Sequence, residues 1–179
     1  MLLVGVTGFR GSGKSLAARA ASSLGIPVLE MRKPVVALMR KKGIRVTNRS
    51  LRLFADEIRK KNGKAVSAKL AVAEILKMKK KIVLVNGVRS GEEIREFKKN
   101  FDFKLIAVTA PLRLRFARIL KRGRSDDPKK YADFLWSERI EQHWGLAKAV
   151  ALADYVVQNR GTRAECEEKI RGILERLAR

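Results

Sequence analysis

Gly8-Phe9-Arg10-Gly11-Ser12-Gly13-Lys14-Ser15 fits the pattern G-x-x-x-x-G-K-S/T without a gap, and chemistry explains the spacing. Glycines let the backbone wrap an anion with its N–H groups turned inward, where bulkier residues would block the approach. Lys14 reaches the β- and γ-phosphates of a nucleoside triphosphate, and the Ser15 hydroxyl is placed to bind Mg²⁺. The helix that begins here aims its positive end at the same anion. At average residue frequencies a chain of this length matches by chance on the order of once in a hundred or fewer. The stretch from Gly8 to Ser15 therefore predicts a phosphate loop for ATP with Mg²⁺.

Its surroundings agree. Leu2 to Val6 is a short apolar run, a buried first strand. Ser15 to Leu24 carries Leu16, Ala17, Ala20 and Leu24 at helical spacing, and Gly25 closes it. Ile26 to Leu29 predicts a second strand, and Lys33 to Lys80 predicts helices broken near Gly43 and Gly63. Ile82 to Val85 is the clearest buried strand, bounded by Asn86-Gly87. Ser90 and Glu93 suit a capping box for a helix through Lys99. Leu105 to Val108 is another strand, and Pro111 opens the helix after it.

Residues 122–130 are polar and read as a mobile loop. Helices follow to about Ala153, then a short strand from Tyr155 to Val157. Thr162 with Glu165 caps a last helix whose stripe is Ile170, Ile173, Leu174 and Leu177. Strands alternating with helices predict an α/β fold, a three-layer P-loop NTPase sandwich around a five-stranded parallel sheet. Residues 31–80 form its helical insert and 122–130 a short lid. At 179 residues the simplest organisation is one domain over 1–179.

Charge is the unusual feature of the composition. Forty-one Lys and Arg against eighteen Asp and Glu give +23. Residues 31–80 hold sixteen basic and three acidic positions, a net +13 and more than half of the total. No apolar run reaches the roughly 18 residues of a membrane span, and the start runs straight into functional sequence without a basic n-region. The expectation is a soluble cytoplasmic protein with no membrane partner. Cys166, the single cysteine, sits among glutamates that disfavour its thiolate, so it reads as inert.

A phosphate loop serves switches and small-molecule kinases alike. The chain is short, with little beyond the core and one insert. Arg89 follows the strand that ends at Asn86-Gly87-Val88, where ligands of open α/β sheets bind. Arg115, Arg118, Arg122 and Arg124 cluster around the polar loop. Phosphoryl transfer asks a protein mainly for positive charge and exclusion of water, and an arginine-bearing lid supplies both. The spacing of Arg115, Arg118 and Arg122 equally suits a solvated helix face. Asp126 and Asp127 are placed to pair with Arg122 or Arg124, or to form a solvated acidic turn.

These residues carry a resemblance. The phosphate loop, Val85-Asn86-Gly87-Val88-Arg89-Ser90, Arg124-Ser125-Asp126-Asp127-Pro128 and Ala151-Leu152-Ala153-Asp154-Tyr155 resemble the archaeal adenylate-kinase-related family, and the likeness runs over nearly the whole chain. That family includes adenylate-kinase-like and dephospho-coenzyme-A-kinase-like members, with no settled substrate. The resemblance implies a nucleoside-monophosphate-kinase fold, with 31–80 binding the acceptor and 122–130 as lid. It implies that Arg118 stacks on the ATP base and that Asn159 to Gly161 border it. Arg122 and Arg124 would hold phosphates, and Arg59 and Arg89 would face an acceptor phosphate.

The departures fall at substrate-facing positions. Where the family has Asp-Val-Val-Arg, this chain has Lys33-Pro34-Val35-Val36, which lacks both the acid and the arginine. Asn86 stands where a strand-end Asp helps hold Mg²⁺ and its waters; it still accepts a hydrogen bond but lacks the charge. Ser137 replaces an arginine in the helix after the lid. ATP binding should survive, with altered acceptor choice or weakened catalysis.

Three readings remain: an ATP-dependent kinase acting on a nucleotide-like acceptor, an ATP-binding factor associated with RNA or the ribosome through the basic 31–80 region, and a catalytically silent ATP binder. The last expects Asn86→Asp to raise activity from near zero. A salt-sensitive polyanion site suits the +13 segment, and so does a solvated lysine-rich surface. Phe54 is its only aromatic residue, too few for stacking single strands. His143, near Trp136 and Trp144, has no metal-binding partners and reads as structural or surface.

Overall fold

In the computed structural model, which describes residues 1–124 and 127–179, five described strands form one parallel sheet in the order β2-β3-β1-β4-β5. They are β1 Leu2–Thr7, β2 Val28–Glu30, β3 Ile82–Val88, β4 Asp102–Thr109 and β5 Tyr155–Gln158. β1 lies at the centre, with Val4 beside Leu84 on one side and Lys104 on the other. Leu3, Val4 and Val6 are fully buried, as a central parallel strand covered on both faces requires.

The order reverses at β1, since the chain leaves it towards β2 and later crosses to β4. That leaves a crevice at the strands' C-terminal ends, where open α/β sheets bind ligands. Helices α1 Lys14–Ser23 and α9 Arg163–Ala178 cover one face, where Leu16 and Ala17 join Ile170 and Leu174 in one core. The opposite face packs under α4 Val66–Lys77, α5 Gly91–Asn100 and α8 Leu146–Ala151, around Ala71, Phe97 and Ala149.

The insert comprises α2 Arg32–Lys41, α3 Asn48–Asn62 and α4. α2 and α3 have a small core of their own with the start of α4, including Met39, Phe54, Ile58 and Val66. Phe54 is thus interior. α6 Leu112–Arg122 and α7 Tyr131–His143 flank the residue 123–130 connection; Ser125 and Asp126 lie outside the described residues, so the expected role of Asp126 does too.

Several boundaries differ from expectation. β2 starts after Pro27, which has no N–H for the ladder yet accepts from the Leu84 N–H through its carbonyl. β3 does not stop at Asn86-Gly87. Gly87 has φ of 103°, and its irregularity lets pairing resume at Val88 beside Thr7. Ser90 caps α5 through the Glu93 N–H, but the Glu93 carboxylate does not complete the box. It turns inward instead.

Candidate active site

The phosphate loop runs from the end of β1 into α1, and its shape depends on two close approaches. Gly11 has φ of 78°, and a Cβ there would stand 2.6 Å from the Arg115 carbonyl oxygen. At Gly13, with φ of 109°, a Cβ would stand 2.3 Å from Asn159 Nδ2. Neither position admits a side chain. Lys14 Nζ bonds back to the loop's own carbonyls at Gly8 and, at 3.0 Å, Phe9. Burial lowers the Lys14 ammonium to a pKa of about 8; Glu141 opposes that shift, while Arg89, Arg115 and Arg10 add to it.

Arg115 is no solvated helix residue. It is 6% exposed, donating to the Arg10 carbonyl at 3.0 Å and the Ala110 carbonyl at 3.1 Å. Its other end meets Glu138 at 2.6 Å, and Phe9 and Phe134 lie against the guanidinium. Sequence reading left its role open because a buried arginine and an exposed one share the same helical spacing.

On the other side, Asn159 at the end of β5 donates to the Ser12 carbonyl at 2.8 Å. Arg118 donates to Asn159 at 3.0 and 3.1 Å and to the Gly161 carbonyl at 3.3 Å. The three residues expected around the base are therefore brought together beside the loop. Arg122 forms a two-pronged pair with Asp127, at 2.6 and 2.5 Å. Burial pushes the Asp127 carboxyl up, but Arg122 and the Arg124 N–H hold its pKa below the ordinary value.

A cavity of about 590 Å³ opens over all of this. Arg10, Gly11, Gly13, Lys14 and Ser15 line its donor end, with Arg118, Arg122, Arg124 and Asn159 nearby. Gly8, Phe9, Ser12 and Gly161 support that end through the contacts above without lining it. Arg59, Arg89 and Trp144 line it as well. The buried Glu93 carboxylate accepts from Arg59 at 3.1 Å and from the Arg89 N–H at 2.7 Å. Both guanidiniums face the Trp144 ring, at 4.7 and 5.6 Å from its centre. Glu93 thus bonds one guanidinium, that of Arg59, and only the backbone of Arg89, leaving net positive charge for an anion.

Trp144 and Glu93 are site residues that sequence reading does not place here: it gives Glu93 to a helix cap and Trp144 no role. A tryptophan at a helix end carries no local signal, and Glu93 also satisfied a capping pattern. Lys33 and Pro34 occupy the first turn of α2, where proline is tolerated, and Val36 does not line the cavity. Arg32 and Arg52 do, so the wall stays cationic without the missing arginine. Ser137 is buried and donates to the Phe134 carbonyl, away from this cavity.

Asn86 supplies the test for Mg²⁺. Its Nδ2 donates to Glu30 at 2.8 Å, while its buried Oδ1 has no hydrogen-bond partner. Glu30 arrives because β2 pairs with β3 in the register Glu30 to Asn86. Among the described residues no His, Cys, Asp and Glu cluster holds a metal by itself, as befits an ion that keeps most of its waters and arrives with phosphates. The residues fit it. Ser15 would bind the ion, and Asn86 and Glu30 would accept from its waters; bound there, it would neutralise phosphate charge.

Residues 4–143 match the AAA domain family. A UPF0200 protein of Pyrococcus abyssi is 35% identical, with 98% of this chain and 97% of the relative covered. The chain belongs to the UPF0200 family. A UPF0200/UPF0201 protein of Archaeoglobus fulgidus is 38% identical across the whole chain, which spans 57% of that relative's length. Among solved structures, TT1252 from Thermus thermophilus has a TM-score of 0.70 at 24% identity, covering 98% of this chain and 97% of its own. Shikimate kinase from Aquifex aeolicus has a TM-score of 0.57 at 19% identity, covering 98% of each chain. These likenesses show a P-loop kinase-like fold. No helix among the described residues is long and apolar enough to cross a membrane.

Proposed function

We propose that this UPF0200 chain is a phosphotransferase of the nucleoside-monophosphate-kinase type, moving the γ-phosphate of ATP to a phosphate-bearing, nucleotide-like acceptor. The observation that supports it is one cavity lined by Lys14 of the phosphate loop and also by Arg59, Glu93, Arg89 and Trp144. A switch needs only the phosphate loop. Lys14, Arg122 and Arg124 gather charge on the transferring phosphoryl group, and Arg89 with Arg59 holds the acceptor's anion. The acceptor cluster comes from α3, the turn after β3, α5 and the end of α7, so closing the insert on the core would complete it and exclude water. The test is incubation with ATP, Mg²⁺ and a panel of nucleoside monophosphates, sugar phosphates and dephospho-coenzyme A. Acceptor-dependent ADP formation supports the reading, and its absence across the panel counts against it.

A second reading, binding of RNA or a ribosomal surface, gains from one observation. α3 and α7 enclose a groove of about 950 Å³ bearing Trp136, Trp144 and Leu53 beside Arg49, Lys60 and Arg139. Trp136 is 58% exposed, with the Arg52 guanidinium 5.9 Å from its ring centre. α7 thus brings the basic insert the aromatic surface that 31–80 lacks on its own. RNA affinity that falls steeply with salt and drops in Trp136→Ala would favour this reading; affinity indifferent to both would remove it.

A further inference from the structure

Among the described residues, most carboxylates near the reaction cavity or the loop beneath it are committed, as Asp127 is to Arg122. Glu93 holds Arg59 and the Arg89 N–H. Glu138 holds Arg115 under the loop through Oε2; its buried Oε1 is also unbonded, but the residue does not line the cavity. Glu30 accepts from Asn86 on the side where the cation would sit. Glu141 differs. It lines the cavity, is only 8% exposed, and its buried Oε2 has no hydrogen-bond partner. It lies on the buried side of α7 with Phe134, Ser137 and Glu138, and of these four it alone lines the cavity. Leaving a carboxylate oxygen buried and unbonded is costly, a cost that substrate binding can offset.

Resting on the γ-phosphate transfer of the reading above, but replacing the acceptor group that a nucleoside-monophosphate kinase would use, we propose that Glu141 is the general base for a hydroxyl acceptor, so that the substrate is a phosphate-bearing alcohol rather than one whose own phosphate is phosphorylated. A phosphate acceptor arrives with an ionised oxygen, needs no base, and would meet the Glu141 charge as repulsion. A hydroxyl must lose a proton as it attacks. The acceptor's resident phosphate lies against Arg59 and Arg89, and its hydroxyl oxygen forms a bond to the γ-phosphorus. The bond from that phosphorus to the β–γ bridging oxygen breaks, and ADP leaves with the electron pair. The hydroxyl proton passes to Glu141 Oε2 and then to water once the product departs. The products are a phosphate monoester, ADP and one proton.

Two measurements test this. In the acceptor panel, ³¹P NMR distinguishes a new phosphate monoester from a new phosphoanhydride. Monoester formation supports the inference. Anhydride formation overturns it while leaving the phosphotransferase reading intact, and no transfer to any acceptor overturns both. Independently, Glu141→Gln is compared with wild type for acceptor-free ATP hydrolysis, in which water is the hydroxyl, and for ATP affinity by calorimetry. Loss of the base should slow hydrolysis by about 10²-fold or more; at a pH well below the Lys14 value of about 8, where that amine stays protonated without Glu141, ATP affinity should be unchanged or tighter. Hydrolysis at the wild-type rate, or affinity falling in parallel with it, would show that Glu141 only supports the fold.

Discussion

Arg115 and Glu138 meet at 2.6 Å beneath the phosphate loop, both nearly excluded from water. The pair fixes a guanidinium whose other nitrogens hold the Arg10 and Ala110 carbonyls, so α6 and α7 together set the loop's shape. Arg115→Ala would strand the Glu138 charge in the interior. The expected loss is about 3–5 kcal/mol of stability, read as a lowered denaturation midpoint, with weaker ATP binding. A variant as stable as wild type would show that the pair is dispensable.

Lys14 gives a pH dependence of definite sign. Without nucleotide its pKa is about 8, and phosphates placed beside it would raise that value. Only the protonated amine attracts them. Binding near pH 8.5 should therefore take up a proton, and ATP affinity should fall as pH rises through 8, by up to about tenfold per unit. Calorimetry in two buffers of different ionisation enthalpy measures the uptake. Proton release on binding would contradict this placement of Lys14.

A restored aspartate at Asn86 should carry a cost in stability, whatever it does to activity. Because the Asn86 amide donates to Glu30 at 2.8 Å, Asn86→Asp replaces a donor with a second negative charge. The variant should lose about 1–3 kcal/mol of stability and regain part of it on adding Mg²⁺. Thermal denaturation with and without the ion reads this directly. A variant of wild-type stability without Mg²⁺ would break the link between the two residues.

Trp144 separates the two ends of the cavity. Its ring faces Arg59 and Arg89, contacts worth roughly 0.5–2 kcal/mol each. Trp144→Ala should raise the acceptor KM by about 5- to 30-fold while the ATP KM stays within about twofold. Equal effects on both substrates would mean that the ring supports the whole fold instead.

The sheet and the donor loop were legible because their signals are local. Apolar runs mark β1 and β3, and the glycine spacing of Gly8 to Ser15 states its own backbone requirement. The acceptor end was legible only in part. Arg89 followed from its place after a strand end and Arg59 from the resemblance, but Glu30 depends on the register of β2 against β3, which three residues of strand do not reveal. Trp144 and Glu141 reach the cavity because α7 packs its Glu138 side towards the loop. That orientation is set by Arg115, twenty-three residues away in sequence.

Acceptor-dependent turnover is the most direct test of a two-ended site. ADP release from Mg·ATP should rise with a phosphate-bearing acceptor and saturate, and a phosphorylated acceptor should appear in equal amount. Lys14→Ala should abolish both signals. ADP release that no acceptor accelerates, with no phosphorylated product, would contradict a phosphotransferase and leave a nucleotide-binding module.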